Sequence, residues 1–307
     1  MGWRTLDLTH LHGELGFSKR TRMLQIVQYD TGEITEVAPC DINVIFAGVG
    51  VGIRAGVVEH LVNKDVAILF CDWKGCPLAG VYPWSDTHGR IAARQRSQAA
   101  LSLPRTKNAW MRIVRAKIRG QANNLDALGL NGSVHLREIA SNVVSGDLTN
   151  CEANAARCYW HSLLGETFRR CPGLQTDRLN SMLDYGYTVL RGYCMRAVLA
   201  AGLAPALGLF HRGRGNSFAL ADDLIEPFRP VVDIEVARLK ESEGIDNREV
   251  RRKLLNVATD EFDTGMGSVP AVMIDFAQQY GRYVESEIKY LPVPEWRANA
   301  LHCDTDD

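Results

Sequence analysis

The hydrophobic pattern of this chain changes period once, just after Pro83, and that single change constrains the fold more than any other feature of the sequence. Before it, short runs rich in β-branched and aromatic residues predict strands at Trp3 to Leu8, Met23 to Tyr29, Asn43 to Phe46, Val66 to Phe70 and Leu78 to Tyr82. Asp30-Thr31-Gly32 supplies a turn, Pro39 a break, and Arg54 to Val62 one short helix. After Pro83, apolar residues recur at three- and four-residue spacing as far as Tyr290. That spacing predicts helices over Arg90 to Leu101, Lys107 to Ala127, Leu136 to Ile139, Glu152 to Phe168, Thr176 to Ala201, Asp222 to Lys240, Arg248 to Phe262 and Val269 to Ile288. Thr149-Asn150 is the expected N-cap of the fourth, and Gly165 falls near its end. The fold class is therefore α+β: a small β-rich domain over residues 1–86, a connector over 87–93, a larger all-helical domain over 94–292 and a tail over 293–307. Ser85-Asp86-Thr87-His88-Gly89, polar and turn-prone, marks the change of texture.

With 46% apolar and 23% charged residues, 307 residues suffice to bury two cores, so a soluble globular protein is expected. The opening MGWRTLDLTHLHGELGF has no signal-type apolar stretch. The most apolar segment, Ala197 to Phe210, is broken by Pro205 and shorter than the roughly 20 residues a bilayer requires. A cytoplasmic location without membrane contact is expected. The eight cysteines show no CxxC pairing, which favours reduced thiols over a zinc module or a disulfide framework.

The net charge of −1 conceals a lopsided distribution. Arg90, Arg94, Arg96, Arg105, Lys107, Arg112, Arg115, Lys117 and Arg119 lie in a stretch without a single acid, whereas acids gather from Asp222 to Asp246 and in the final CDTDD. Arg112, Arg115 and Arg119 share one helix face and read as a phosphate-binding track; an ordinary solvated face would interleave both signs.

The segment from Leu207 to Asp233 carries the residues suited to chemistry. His211 follows an apolar run and precedes a glycine-rich basic loop, and the following acids Asp222, Asp223 and Glu226 stand at helical spacing. An imidazole with hard carboxylates suits Mg²⁺ or Mn²⁺ better than zinc. The same residue types also fit a structural histidine beside acids that complement a helix dipole, and spacing does not nominate a further carboxylate among 36 acids. Gly48-Val49-Gly50-Val51-Gly52 lacks the order of a nucleotide-binding loop and reads as a tight turn before the Arg54 helix. No GxSxG elbow is present.

Three segments, CEANAARCYW at 151–160, LNSMLDYGYTVLRGYCMRAVLAAGLAPALGLFH at 179–211 and ALADDLIEPFRPVVD at 219–233, resemble the three core motifs of the CRISPR-associated endonuclease/integrase family, the large subunit of the spacer-acquisition complex. WRTL, FCDWKGCPLAG at 70–80 and KIRGQANNL at 117–125 are similar to weaker landmarks of that family, so the resemblance spans nearly the whole chain. The FRP-type third motif and the compact length are similar to its type II-like branch. The resemblance implies a β-rich dimerisation domain and a helical catalytic domain with Glu152, His211 and Glu226 as catalytic metal ligands, and Asp223 as a further acid near the metal. No role is assigned to Asp222.

It further implies insertion of short DNA fragments into a repeat array by attack of a 3′-hydroxyl on a phosphodiester. Double-stranded DNA, a second copy of the chain and a small ferredoxin-like subunit bridging two dimers are the implied partners. Arg112, Arg115, Arg119, Arg212 and Arg214 are the expected DNA contacts. Two other readings share these residues: a catalytically silent DNA-binding scaffold, and a stand-alone structure-specific nuclease in which water replaces the 3′-hydroxyl.

Overall fold

Every residue of Ile42-Asn43-Val44-Ile45-Phe46-Ala47 is buried, as a strand covered on both faces requires. This strand, β5 (Ile42–Ala47), sits inside a four-stranded sheet of order β1-β5-β7-β8, with β1 (Arg4–Leu8), β7 (Ala67–Cys71) and β8 (Pro77–Val81). β5 pairs in parallel with β1 and β7, and β8 runs antiparallel to β7. A second sheet of order β4-β3-β2-β6 is built from β2 (Gly13–Phe17), β3 (Leu24–Gln28), β4 (Ile34–Val37) and β6 (Val51–Ile53). One helix, α1 (Ala55–Val62), contributes Val57 and Leu61 to the core formed with Leu8, Leu15, Leu24, Ile45 and Ile68. The structure, a computed structural model, describes residues 4–72, 77–83, 90–173, 177–211, 213, 215–240, 242–257, 261–263 and 265–298. It divides into two compact units, Met1–Gly89 and Arg90–Asp307, with the strands in the first and the long helices in the second.

The glycine run differs from the expected turn. Gly48 to Gly50 do turn, but Val51–Ile53 form β6, which pairs in parallel with β2 at Gly13↔Val51 and Leu15↔Ile53. A Cβ on Gly48 would lie 2.0 Å from the Thr9 carbonyl oxygen, so the turn needs a residue without a side chain. The connector expected over 87–93 meets helix α2 (Ile91–Ala99) at Ile91, while residues 84–89 lie outside the described part.

The helical unit is organised around α3 (Leu103–Ala127) and α6 (Arg178–Ala200), with α4 (Ser133–Asn142), α5 (Cys151–Leu164), α9 (Arg248–Asn256) and α10 (Val269–Val284). The helix expected over Asp222 to Lys240 is broken into α7 (Ala219–Leu224), a 3₁₀ turn (Glu226–Phe228) and α8 (Arg229–Arg238). Pro227 and Pro230 cause the break: neither can donate the backbone hydrogen bond that a continuous helix requires. α5 is capped differently from expectation. Asn150, in a left-handed conformation, gives no side-chain cap; instead the Asp147 carboxylate accepts from Cys151 N (2.9 Å) and Glu152 N (3.0 Å).

The end of the expected helical domain and the beginning of the expected tail both pack against the unit. Leu291 and Trp296 are buried, Trp296 Nε1 donates to Asn124 Oδ1 (2.8 Å), and Asn123 Nδ2 donates to the Trp296 carbonyl (2.7 Å). Trp296→Ala is expected to cost about 3–5 kcal/mol, since a large buried ring and a buried hydrogen bond go together. Urea unfolding of the two proteins measures it, and an unchanged midpoint would make the segment a passive tail. Among the described residues, Cys40, Cys71, Cys151, Cys158, Cys171 and Cys194 are free thiols, and no helix is long and apolar enough to cross a membrane.

Candidate metal centre

Three elements converge on one ammonium group. α3 carries Lys117, the start of α5 carries Glu152, and the proline-induced break carries Glu226. Lys117 Nζ lies 2.6 Å from Glu152 Oε1 and 2.6 Å from Glu226 Oε2. Arg229 Nε lies 2.9 Å from the other oxygen of Glu226, and its guanidinium rests over the Tyr187 ring at 4.5 Å. Two carboxylates thus face two cations. Glu226 is almost completely buried; burial pushes its carboxyl upward, but Arg229 and Lys117 outweigh it and hold the group ionised below the usual carboxylate range. Burial likewise opposes the Lys117 ammonium, and Glu226 and Glu152 overcome it and hold its pKa above the usual lysine value. Glu226 Oε2 stands close enough to the Lys117 nitrogen for a charge-assisted hydrogen bond.

His211 is held from behind. The buried Asp223 carboxylate accepts from the backbone N–H groups of Leu209, Phe210 (3.1 Å) and His211 (3.1 Å), and its Oδ1 lies 2.7 Å from His211 Nδ1. A carboxylate at Nδ1 places the ring proton there and leaves Nε2 as the nitrogen free to ligate. The bond to Asp223 raises the imidazole pKa, partial burial opposes it, and the charges of Asp223, Glu226 and Asp222 raise it further. Gly208 makes room for this arrangement, since a Cβ there would lie 2.5 Å from the His211 carbonyl oxygen and 2.8 Å from Asp223 Oδ2.

The helix break overturns the expectation that Asp222, Asp223 and Glu226 share one face. Asp223 turns to the His211 segment, and Glu226 turns to Lys117. Asp222 turns to α6, where Arg191 Nε donates at 2.6 Å, and also accepts from Asn216 Nδ2 at 2.7 Å. Asp223 therefore faces the His211 backbone and ring. Behind the carboxylate pair, the Tyr187 hydroxyl donates to Asp233, and Asn124 Nδ2 donates to the Tyr159 hydroxyl (2.8 Å) and the Pro230 carbonyl (2.7 Å).

The arginine track does not present three free guanidinium groups. Arg112 lies 4.6 Å over the Tyr290 ring and donates to Asn108, Arg115 donates to the Val143 carbonyl at 2.7 Å, and Arg119 faces Glu295 at 3.6 Å. Other members of the basic stretch find acids far along the chain: Arg90 and Arg94 meet Glu285, and Lys117 meets Glu152 and Glu226. Arg212 and Arg214 lie outside the described residues. Lys117, Arg229 and Asp147 escaped the sequence reading as site residues, because nothing local distinguishes them from surface charges.

Among the described residues, no three His, Cys, Asp or Glu side chains stand close enough to hold one ion as they are placed. The donor set nevertheless fits a hard divalent cation: two carboxylates already share a positive charge, and an oriented imidazole lies within electrostatic reach of Glu226.

The two-sheet unit followed by this helical unit defines a recognised architecture. A casposase bound to its integration product shares the fold with a TM-score of 0.80 at 20% identity, covering 99% of this chain and 96% of that one. A CAS1 protein from Thermotoga maritima shares it with a TM-score of 0.74 at 17% identity, covering 95% and 100%. In sequence, the family described as CRISPR associated protein Cas1 matches residues 12–261. The CRISPR-associated endonuclease Cas1 of Neisseria meningitidis serogroup C (strain 8013) is 37% identical over 243 residues, 78% of this chain and 77% of that protein. A Cas1 of Pyrobaculum aerophilum is 31% identical over 234 residues, 69% and 76%. The chain belongs to the Cas1 family, as its three motifs led us to expect.

Proposed function

We propose that this protein is the metal-dependent DNA endonuclease/integrase of CRISPR adaptation, with Glu152, His211 and Glu226 as ligands of Mg²⁺ or Mn²⁺. The observation that carries the reading is the pair of carboxylates from two separate elements meeting on one cation beside an imidazole held by Asp223. Family membership supports it, as does the casposase fold, whose complex with an integration product is that of a DNA-joining protein. A divalent cation held there would stabilise the charge on the oxygens of a phosphate whose phosphorus undergoes in-line displacement.

The residues of the chain do the remainder. Asp223 fixes the ring of His211, Arg229 holds Glu226 ionised, and the exposed end of Arg119 offers a phosphate contact. The incoming 3′-hydroxyl forms one phosphodiester as another breaks, and the displaced oxygen leaves as a new 3′-hydroxyl, so no ATP is consumed. A homodimer bridged by a small ferredoxin-like subunit is the assembly we propose. Related folds occur in a Cas6-RT-Cas1–Cas2 complex and in a complex of a Cas1 with DNA.

A strand-transfer assay with the partner subunit, a short duplex bearing free 3′-hydroxyls and a repeat-containing plasmid tests the reading. Joined products are expected with Mg²⁺ or Mn²⁺, and are expected to vanish with EDTA and in Glu152→Ala, His211→Ala and Glu226→Ala. Nicking without joining would favour the stand-alone nuclease. DNA binding with no metal-dependent product would favour the silent scaffold.

A further inference from the structure

We propose that Lys117 is an internal, displaceable cation that occupies the carboxylate pair in the metal-free protein and must leave it when the divalent ion enters. The inference rests on the metal reading above and adds a residue that reading does not use. Its basis is geometric: one Nζ stands 2.6 Å from an oxygen of each carboxylate, at the point where an ion shared by Glu152 and Glu226 would sit. Both oxygens meet the ammonium within hydrogen-bond distance, so the lysine bridges the pair as a shared cation would. An ammonium donates along three fixed directions, whereas a metal ion accepts oxygen ligands without donor directionality.

Charge balance gives the displacement a consequence. Glu152 and Glu226 are neutralised by Lys117 and Arg229, so a divalent ion added to these four side chains leaves two excess positive charges among them, of which the Asp223 carboxylate behind His211 offsets one. A buried site tolerates such an excess poorly. DNA phosphates are the natural counter-charge, and the lysine's four-carbon stem lets its ammonium swing from the carboxylates toward them. Metal and DNA therefore bind with mutual reinforcement, as linkage requires whenever each relieves the charge left by the other. The metal-free protein keeps its carboxylates paired, which avoids the cost of two buried like charges facing one another.

The test follows the lysine itself in the unmodified full-length protein. An amine-acylating reagent is applied in EDTA and in saturating Mn²⁺, and the modification rate at Lys117 is read by mass spectrometry against Lys64, an exposed lysine of the first unit. Lys117 is expected to react at least about tenfold faster with Mn²⁺ than in EDTA, since the ion pair that shields it is broken. In parallel, Mn²⁺ binding is followed by the loss of the free-ion EPR signal for wild type, His211→Ala and Lys117→Met, with and without duplex DNA. Lys117→Met is expected to bind Mn²⁺ about tenfold more tightly than wild type without DNA, and to gain less from adding DNA.

Saturable binding that weakens in His211→Ala while Lys117 stays equally shielded in both conditions would overturn the displacement and leave the metal reading standing. No saturable binding in any condition would overturn both. Should Lys117→Met fail to fold, the labelling of the wild-type lysine still decides, because a purely structural lysine would not change its reactivity with metal.

Discussion

Replacing Asp223 by alanine is expected to cost about 3–5 kcal/mol of stability and to reduce strand transfer at least about 100-fold. The carboxylate is fully buried and serves three successive backbone N–H groups and the His211 ring. Alanine would leave those backbone donors without a buried acceptor and would release the imidazole to rotate and change tautomer. Asp223→Asn separates the two effects. It fills the same volume, but its amide nitrogen cannot accept, so part of the backbone cradle survives while the ring is no longer held by a charge. Urea unfolding in EDTA reads the first effect, and strand transfer under saturating Mn²⁺ reads the second. If Asp223→Ala unfolded within about 1 kcal/mol of wild type and joined DNA normally, the carboxylate would be a bystander, and His211 would need another explanation for its orientation.

The elements that sequence made legible are those whose local pattern and tertiary role agree. The fully buried β5, apolar except for Asn43, and the long periodic stretches of α3 and α6 bury the faces their periodicity predicts. β2 was not foreseen, because Gly-Glu-Leu-Gly-Phe has no β-branched residue, and only its pairing with β3 and β6 makes it a strand. β6, Val51-Gly52-Ile53, has two β-branched residues but is only three residues long and lies inside a glycine run, which reads as a turn. The break at Glu226 was foreseeable in principle from Pro227 and Pro230, but the charge spacing of Asp222, Asp223 and Glu226 suggested one continuous face and prevailed.

Residue types and spacing nominated His211 and the acids after it, but only the family motifs nominated Glu152. His211 and Glu226 are close in sequence, whereas Glu152 enters from another helix, and no spacing rule links it to them. Lys117 looked like one more member of a basic track. Its partners lie 35 positions away in the case of Glu152 and farther in the case of Glu226, so only tertiary structure shows that its charge is neutralised. The acid-free stretch from Arg90 to Arg119 repeats the lesson: a segment without local counter-charges can meet acids far along the chain, here Glu285, Glu287 and Glu295.

Asp233 offers a test of how far burial governs this centre. Its side chain is buried, and the Tyr187 hydroxyl donates to one of its oxygens. Burial pushes its pKa up to about 7, against the opposing pull of the Tyr187 hydrogen bond and of Lys117 and Arg229. An aspartate in the unfolded chain titrates near about 3.9. The folded protein therefore binds the proton more strongly, and the stability this confers is complete below about pH 4 and lost as pH rises toward about 7. Over that window the loss approaches about 1.4 kcal/mol per pH unit, on the order of 4 kcal/mol in total. Asp233→Asn mimics the protonated acid at every pH. It is expected to match wild type near about pH 4 and to exceed it by roughly 4 kcal/mol near about pH 8, measured by urea unfolding in EDTA. Equal pH dependence in the two proteins would show that Asp233 stays ionised when folded, with Lys117 and Arg229 overcoming burial, as they do at Glu226.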